Sequence, residues 1–114
     1  MIEVREYLDA KGGSAFADWF AYLNPKAAAK VATALTRLAA GNFSNVKGVG
    51  SGVFEYRIDF GPGYRVYFGK DGERLVIVLG GGSKKRQQHD IDAALASWQD
   101  YKRRKKGDRY GADT

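Results

Sequence analysis

The chain contains no cysteine. That excludes a disulfide framework and a thiolate metal site, and it accords with a reducing compartment. Only one histidine is present, and the carboxylates are scattered, so no residues stand at metal-ligand spacing and no cofactor is expected. No nucleophile with its base is recognisable either, so hydrolytic chemistry here would be metal-free and would not pass through a covalent enzyme intermediate. No stretch approaches the roughly 18 consecutive apolar residues of a membrane span. The start, Met1-Ile-Glu-Val-Arg-Glu6, lacks the basic patch and apolar run of a secretion signal. A cytoplasmic protein without membrane attachment is the expectation.

The 114 residues, 44% hydrophobic and 13% aromatic, can support one compact core but not two. A single domain over residues 1–106 is expected, followed by a disordered tail at 107–114. The net charge is +6, and between residues 84 and 114 nine basic side chains face five acidic ones. Such a surface suits a polyanion or an acidic protein, although a solvated basic tail would have the same composition.

Residues 2 to 8 alternate loosely and read as a strand that Gly12-Gly13 ends. Ser14 can cap a short helix carrying Phe16, Trp19, Phe20 and Leu23, and Asn24-Pro25 starts a second helix as an N-cap followed by proline. That helix places Ala28, Val31, Leu35 and Leu38 on one stripe and ends at Gly41. From Val53 to Phe60 the even positions Phe54, Tyr56, Ile58 and Phe60 are apolar, and after Gly61-Pro62-Gly63 the same parity continues in Tyr64, Val66 and Phe68. Asp71-Gly72 signals a two-residue hairpin into Leu75-Val-Ile-Val-Leu79, completing a meander of three antiparallel strands. Gly80-Gly81-Gly82 should end the sheet. Ile91, Ala94, Leu95, Trp98 and Tyr101 then mark a third helix whose last turn is Lys102 to Lys106. Gly48-Val-Gly-Ser-Gly52 looks like a phosphate loop, but no helix follows, so it reads as a flexible lead-in. The helical spacing of Trp19, Phe20 and Trp98 marks them as core.

Because one face of the meander must be buried, even positions oppose even positions. Glu55, Arg57 and Asp59 then share a face with Arg65 and Tyr67. Two readings fit: cross-strand salt bridges on a solvated face, or a surface that grips phosphate through the two-pronged arginine fork. Lys84, Lys85 and Arg86 stand where the third helix starts, beside the macrodipole's positive end. Cations are misplaced there unless an anion binds or the residues are simply hydrated loop. His89 is the one side chain that titrates near neutrality unperturbed, so it is either a proton carrier or an idle surface residue.

The order of elements, with Phe54-Glu-Tyr-Arg-Ile-Asp-Phe-Gly-Pro-Gly-Tyr-Arg-Val-Tyr-Phe68 and Leu79-Gly-Gly-Gly-Ser-Lys84 followed by Asp90-Ile91, resembles the RelE/ParE superfamily over about residues 1–104. The likeness is to its HigB-like branch, the addiction module killer or phage Gp49-like proteins. It implies an α+β fold and the toxin of a type II toxin-antitoxin pair. Its partners would be a cognate antitoxin of helix-turn-helix, HigA-like type, the ribosome and mRNA. The implied activity is mRNA cleavage by 2′-hydroxyl attack on the adjacent phosphate, with basic side chains stabilising the developing charge. Carried over by position, Arg57 and Arg65 match the family's phosphate-binding basic residues, and Lys84 or Lys85 matches the basic residue after the last strand. Arg57, Arg65 and Lys84 are thus the expected catalytic residues, and Lys85, Arg86, Tyr67, Lys102 and Arg103 are expected to contact RNA. Asp59 stands where some relatives place lysine, and the family's proton-transfer tyrosine is missing, which leaves His89 as the nearest substitute. The alternatives are a ParE-like, non-enzymatic inhibitor of DNA gyrase and a plain nucleic-acid-binding module.

Overall fold

The computed structural model describes the backbone of residues 1–112 and the side chains of residues 1–107. Its elements are β1 (Glu3–Glu6), α1 (Ala15–Ala21), α2 (Pro25–Ala39), β2 (Val46–Gly50), β3 (Val53–Ile58), β4 (Tyr64–Lys70), β5 (Leu75–Ser83), a 3-10 turn (Lys84–Arg86) and α3 (Gln87–Ala112). The class is α+β, as the residue pattern and the family resemblance both indicate. The tail expected at 107–114 lies, apart from Gly107, outside the fully described residues, and Gly107 itself stands in α3. Among the described residues no helix is long and apolar enough to cross a membrane.

Both helix starts are built by local chemistry. The Ser14 hydroxyl accepts from the Ala17 amide at 3.0 Å and donates to Glu6 Oε1 at 2.6 Å, so one residue caps α1 and ties it to β1. Asn24 Oδ1 accepts from the Ala27 amide at 2.9 Å, and Pro25 follows with its φ already helical. In α2 the buried residues are Ala27, Val31, Ala34 and Leu38, while Ala28 and Leu35 are only half-buried. Val31 and Leu38 are buried as expected, while the other two positions of the stripe fall one residue earlier, at Ala27 and Ala34.

The five strands run in the order β1-β5-β4-β3-β2, with β1 parallel to β5 and the remaining pairs antiparallel. Even does oppose even across β3 and β4, Phe54 pairing Phe68 and Tyr56 pairing Val66, so that on the odd positions Arg57 pairs Arg65. What the pattern did not convey is that both faces are covered. Tyr56, Ile58, Val66, Phe68, Val76 and Val78 pack with Phe16, Val31, Ala34 and Leu38 of α1 and α2. On the opposite face Val53, Tyr67, Ile77 and Leu79 pack with Tyr7 and with Ala94 and Trp98 of α3. The odd face of the hairpin is thus largely a second core, not an open charged surface.

Four local expectations are corrected. Gly80-Gly81-Gly82 does not end the sheet, since β5 continues to Ser83 after a register shift opposite Tyr67 and Phe68. Close approach requires glycine at 81, where a β-carbon would lie 2.2 Å from the Trp19 ring, while a β-carbon on Gly82 would displace the Asp90 carboxylate. The segment around Gly48 is not a flexible lead-in but strand β2, paired with β3. Asp71 and Gly72 open a four-residue loop instead of a two-residue hairpin, closed by the Asp71 amide donating to the Leu75 carbonyl at 2.8 Å. Lys102 to Lys106 is not the last turn of α3, which extends to Ala112.

The far half of α3 is moored to the sheet at two places. The Tyr7 hydroxyl donates to Asp100, and Arg104 donates to Asp100 and to the Leu8 carbonyl. The Tyr101 hydroxyl and the Lys105 ammonium both donate to Asp71. These bonds, the one from Lys105 foremost, hold the Asp71 carboxyl below the usual carboxylate range, while burial and then the bond to Asp71 push Tyr101 up to about 12. Asp71→Asn is expected to lower stability at pH 7 by about 1 kcal/mol, or roughly 4–8 °C in Tm. Because the folded carboxyl titrates below its unfolded value near 4, its contribution is complete above that value and is lost as the pH falls through the lowered one. Thermal melts of parent and variant should therefore diverge at pH 7 and converge towards pH 3.

Candidate functional site

Arg57 of β3 and Arg65 of β4 are cross-strand partners at the end of the hairpin next to the Gly61-Pro62-Gly63 turn. Lys84 arrives at the same place from the end of β5. The three side chains border one polar cleft of about 510 Å³, together with Lys47, Asp59, Tyr64 and the Ser44-Asn45 segment. Four cations and one carboxylate therefore converge on a space large enough for a phosphodiester with its flanking sugars.

Gly63 ties this convergence together. Its carbonyl accepts from the Lys84 amide at 2.8 Å and from Arg65 Nη1 at 3.4 Å, so the hairpin turn is joined to the junction between β5 and α3. Its φ of +80° lies in the left-handed region, and a β-carbon there would stand 3.6 Å from Arg65 Nη1 and 3.7 Å from Lys84 Cβ. Behind the cleft, Glu55 Oε2 lies 3.6 Å from Arg65 Nε and accepts from Gln87 Nε2 at 3.0 Å, while Oε1 lies 4.0 Å from Arg57 Nε. The Arg65 side chain is 6% exposed and that of Arg57 58%, so one arginine is a wall of the cleft and the other can swing over it.

The remaining predicted residues are distributed differently. Lys85, Arg86 and His89 are exposed on the 3-10 turn and the first turn of α3, and none of them borders the cleft. Tyr67 is fully buried under α3, so it cannot contact RNA as placed. Burial foremost, with Glu55 and Asp90 adding, pushes its hydroxyl up to about 12. Lys102 and Arg103 lie about 15 residues beyond the start of α3, roughly 22 Å at 1.5 Å per residue. Lys102 borders a separate cleft of about 390 Å³ with Lys70, Trp98 and Tyr101, and Arg103 pairs with Asp100 at 3.3 Å. Burial raises the Asp90 carboxyl, against the pull of Arg86 and His89. Among the described residues no group of three or more histidine, cysteine or acidic side chains could hold a metal ion.

Sequence reasoning missed Lys47, Asn45, Tyr64 and Gln87. Lys47 was lost with β2, whose Val46-Lys-Gly-Val49 alternation is a short strand signal diluted by glycine. Gln87 carries no signal of its own, since only the docking of α3 brings it over Glu55.

The family described as phage derived protein Gp49-like (DUF891) matches residues 18–99, more than half of the chain and the stretch that contains Arg57, Arg65 and Lys84. An uncharacterized protein of Haemophilus influenzae is 46% identical over 80 residues, covering 69% of this chain and 81% of that protein. The chain belongs to the Gp49-like family, a toxin-like family. Membership suggests the toxin of a toxin-antitoxin pair, with an antitoxin as its partner.

Gly63→Ala is expected to cost roughly 1–2 kcal/mol, because an L-residue is strained in the left-handed region. It should also weaken inorganic phosphate binding, since relief of that strain shifts the Gly63 carbonyl to which Arg65 and the Lys84 amide donate. Denaturant unfolding and a phosphate titration followed by NMR check the two effects separately.

Proposed function

We propose that the protein is a HigB-like toxin of the RelE/ParE superfamily that acts as a ribosome-dependent, metal-independent mRNA endonuclease in the cytoplasm. The observation that carries this reading is the convergence of Arg57, Arg65 and Lys84, from three separate segments, on one polar cleft. In the proposed reaction the RNA 2′-oxygen attacks the adjacent phosphorus and the bond to the 5′-oxygen breaks, leaving a 2′,3′-cyclic phosphate and a 5′-hydroxyl. Negative charge grows on the phosphoryl oxygens as the bond forms, and preorganised cations stabilise that state more than the ground state. Arg65 can present its fork from a fixed position, while Arg57 and Lys84 close from the solvent side.

Two protons must move. Asp59, in the cleft lining, is assigned the proton that the 2′-hydroxyl gives up. The 5′-oxygen must gain one. His89 stands outside the lining, so a role in that transfer requires RNA that runs from the cleft along the start of α3. Exposed Lys85 and Arg86 border that route and would contact its phosphates, while Lys102 and Arg103 would contact more distant ones.

Arg57→Ala and Lys84→Ala remove exposed groups and should leave Tm within about 2 °C of the parent. Each is expected to lower mRNA cleavage by more than about 10-fold, the loss of roughly 1.4 kcal/mol of transition-state stabilisation. In vitro translation followed by primer extension measures this, and intact mRNA at high parent protein would overturn the reading. Intact mRNA together with blocked supercoiling by gyrase would put the protein with the ParE-like inhibitors instead.

A further inference from the structure

Glu55 would not touch a bound phosphate, yet it lies against two of the residues that would. It is 1% exposed, the most deeply buried charged residue among those described. The β3–β4 register sets Arg57 and Arg65 directly opposite one another, so the two side chains leave the sheet as neighbours at cross-strand spacing. The Glu55 carboxylate stands behind both, dividing its oxygens between them. Without it the two guanidiniums would lose the counter-charge they share. Gln87, delivered by the first turn of α3, donates to Oε2 and fixes the rotation of the carboxylate.

The contact with Arg65 has an unusual character. At 3.6 Å it is an ion pair without a closed hydrogen bond, and Arg65 Nε is buried with no hydrogen-bond partner among the described residues. Among the described residues Nη1 donates to the Gly63 carbonyl, at 3.4 Å. The guanidinium is therefore aimed by charge while much of its donor capacity stays uncommitted. A phosphate oxygen entering the cleft would meet donors that need not first be released from the protein.

We propose that Glu55 is the positioning residue of the cleft: together with Gln87 it holds Arg57 and Arg65 in the paired orientation that grips the scissile phosphate. This rests on the RNA-cleavage reading above. A purely structural salt bridge would change how much protein is folded but not the turnover of the folded fraction. A positioning carboxylate changes turnover itself, and removing its negative charge should leave ground-state attraction for phosphate equal or greater.

Glu55→Gln preserves the shape and one acceptor oxygen but removes the charge. The folded variant, verified by its thermal melt, is expected to lose about 100-fold in kcat for translation-coupled mRNA cleavage with little change in KM, comparable to the loss of one preorganised donor. Inorganic phosphate should bind it at least as tightly as the parent, and Glu55→Asp should recover part of the kcat. A folded Glu55→Gln with kcat within about threefold of the parent overturns the proposal. Should Glu55→Gln not fold, Gln87→Met removes only the amide that orients Oε2, and it is expected to lower kcat by about 10-fold; parental kcat in that variant is equally fatal. If the parent itself cuts no mRNA, the cleavage reading fails on its own account. The positioning role is then decided by the Arg65 Nε–H resonance and its response to inorganic phosphate, which must differ between parent and Glu55→Gln for the proposal to stand.

Discussion

Two arginines set opposite one another on neighbouring strands, with a buried carboxylate behind them, are the constraint around which the molecule is organised. The two guanidiniums share one counter-charge, and a carboxylate withdrawn from water is tolerable only when it is paired. The arrangement works because Glu55 sits on the face of β3 that α3 covers, while Arg57 and Arg65 reach past the edge of that cover into the cleft. Had α3 started a turn later, Gln87 would not lie over Glu55.

The rest of the fold supplies that placement. The α1–α2 layer buries the even face of the hairpin and fixes its register, since a one-residue slip would move Tyr56, Ile58, Val66 and Phe68 out of their core. Gly81 and Gly82 let Trp19 press on one face of β5 and Asp90 on the other, drawing the helices close at the point where the strand hands over to the 3-10 turn. Gly63 then joins the hairpin turn to that junction through one carbonyl. At the far end, Asp71 and Asp100 moor α3 through tyrosines and basic side chains, so its position over the sheet is held from both ends.

The basic surface divides accordingly. Lys47, Arg57, Arg65 and Lys84 share one polar cleft. Lys102 and Arg103 belong to another part of α3, where Lys102 borders a cleft floored by Trp98 and Tyr101. A count of positive charge alone merges these two regions, although they differ in burial, in partners and in what they could hold.

Much of the architecture was already decided by local chemistry in the sequence. The caps at Ser14 and Asn24, the alternation from Phe54 to Phe68 and the even-to-even pairing all follow from hydrogen bonding and side-chain period, which act over a few residues. The joint placement of Arg57 and Arg65 follows from that pairing, and the resemblance brought Lys84 to them. Only the tertiary structure could decide the rest. The odd face of the hairpin became a second core because α3 folds back over it, and that docking depends on contacts between Trp98 and residues some 30 positions earlier, such as Gly69. It buried Tyr67, left His89 outside the cleft, and brought Gln87 onto Glu55. A residue's period says which face of its own element it occupies, but what covers that face is settled by packing between elements far apart in the chain.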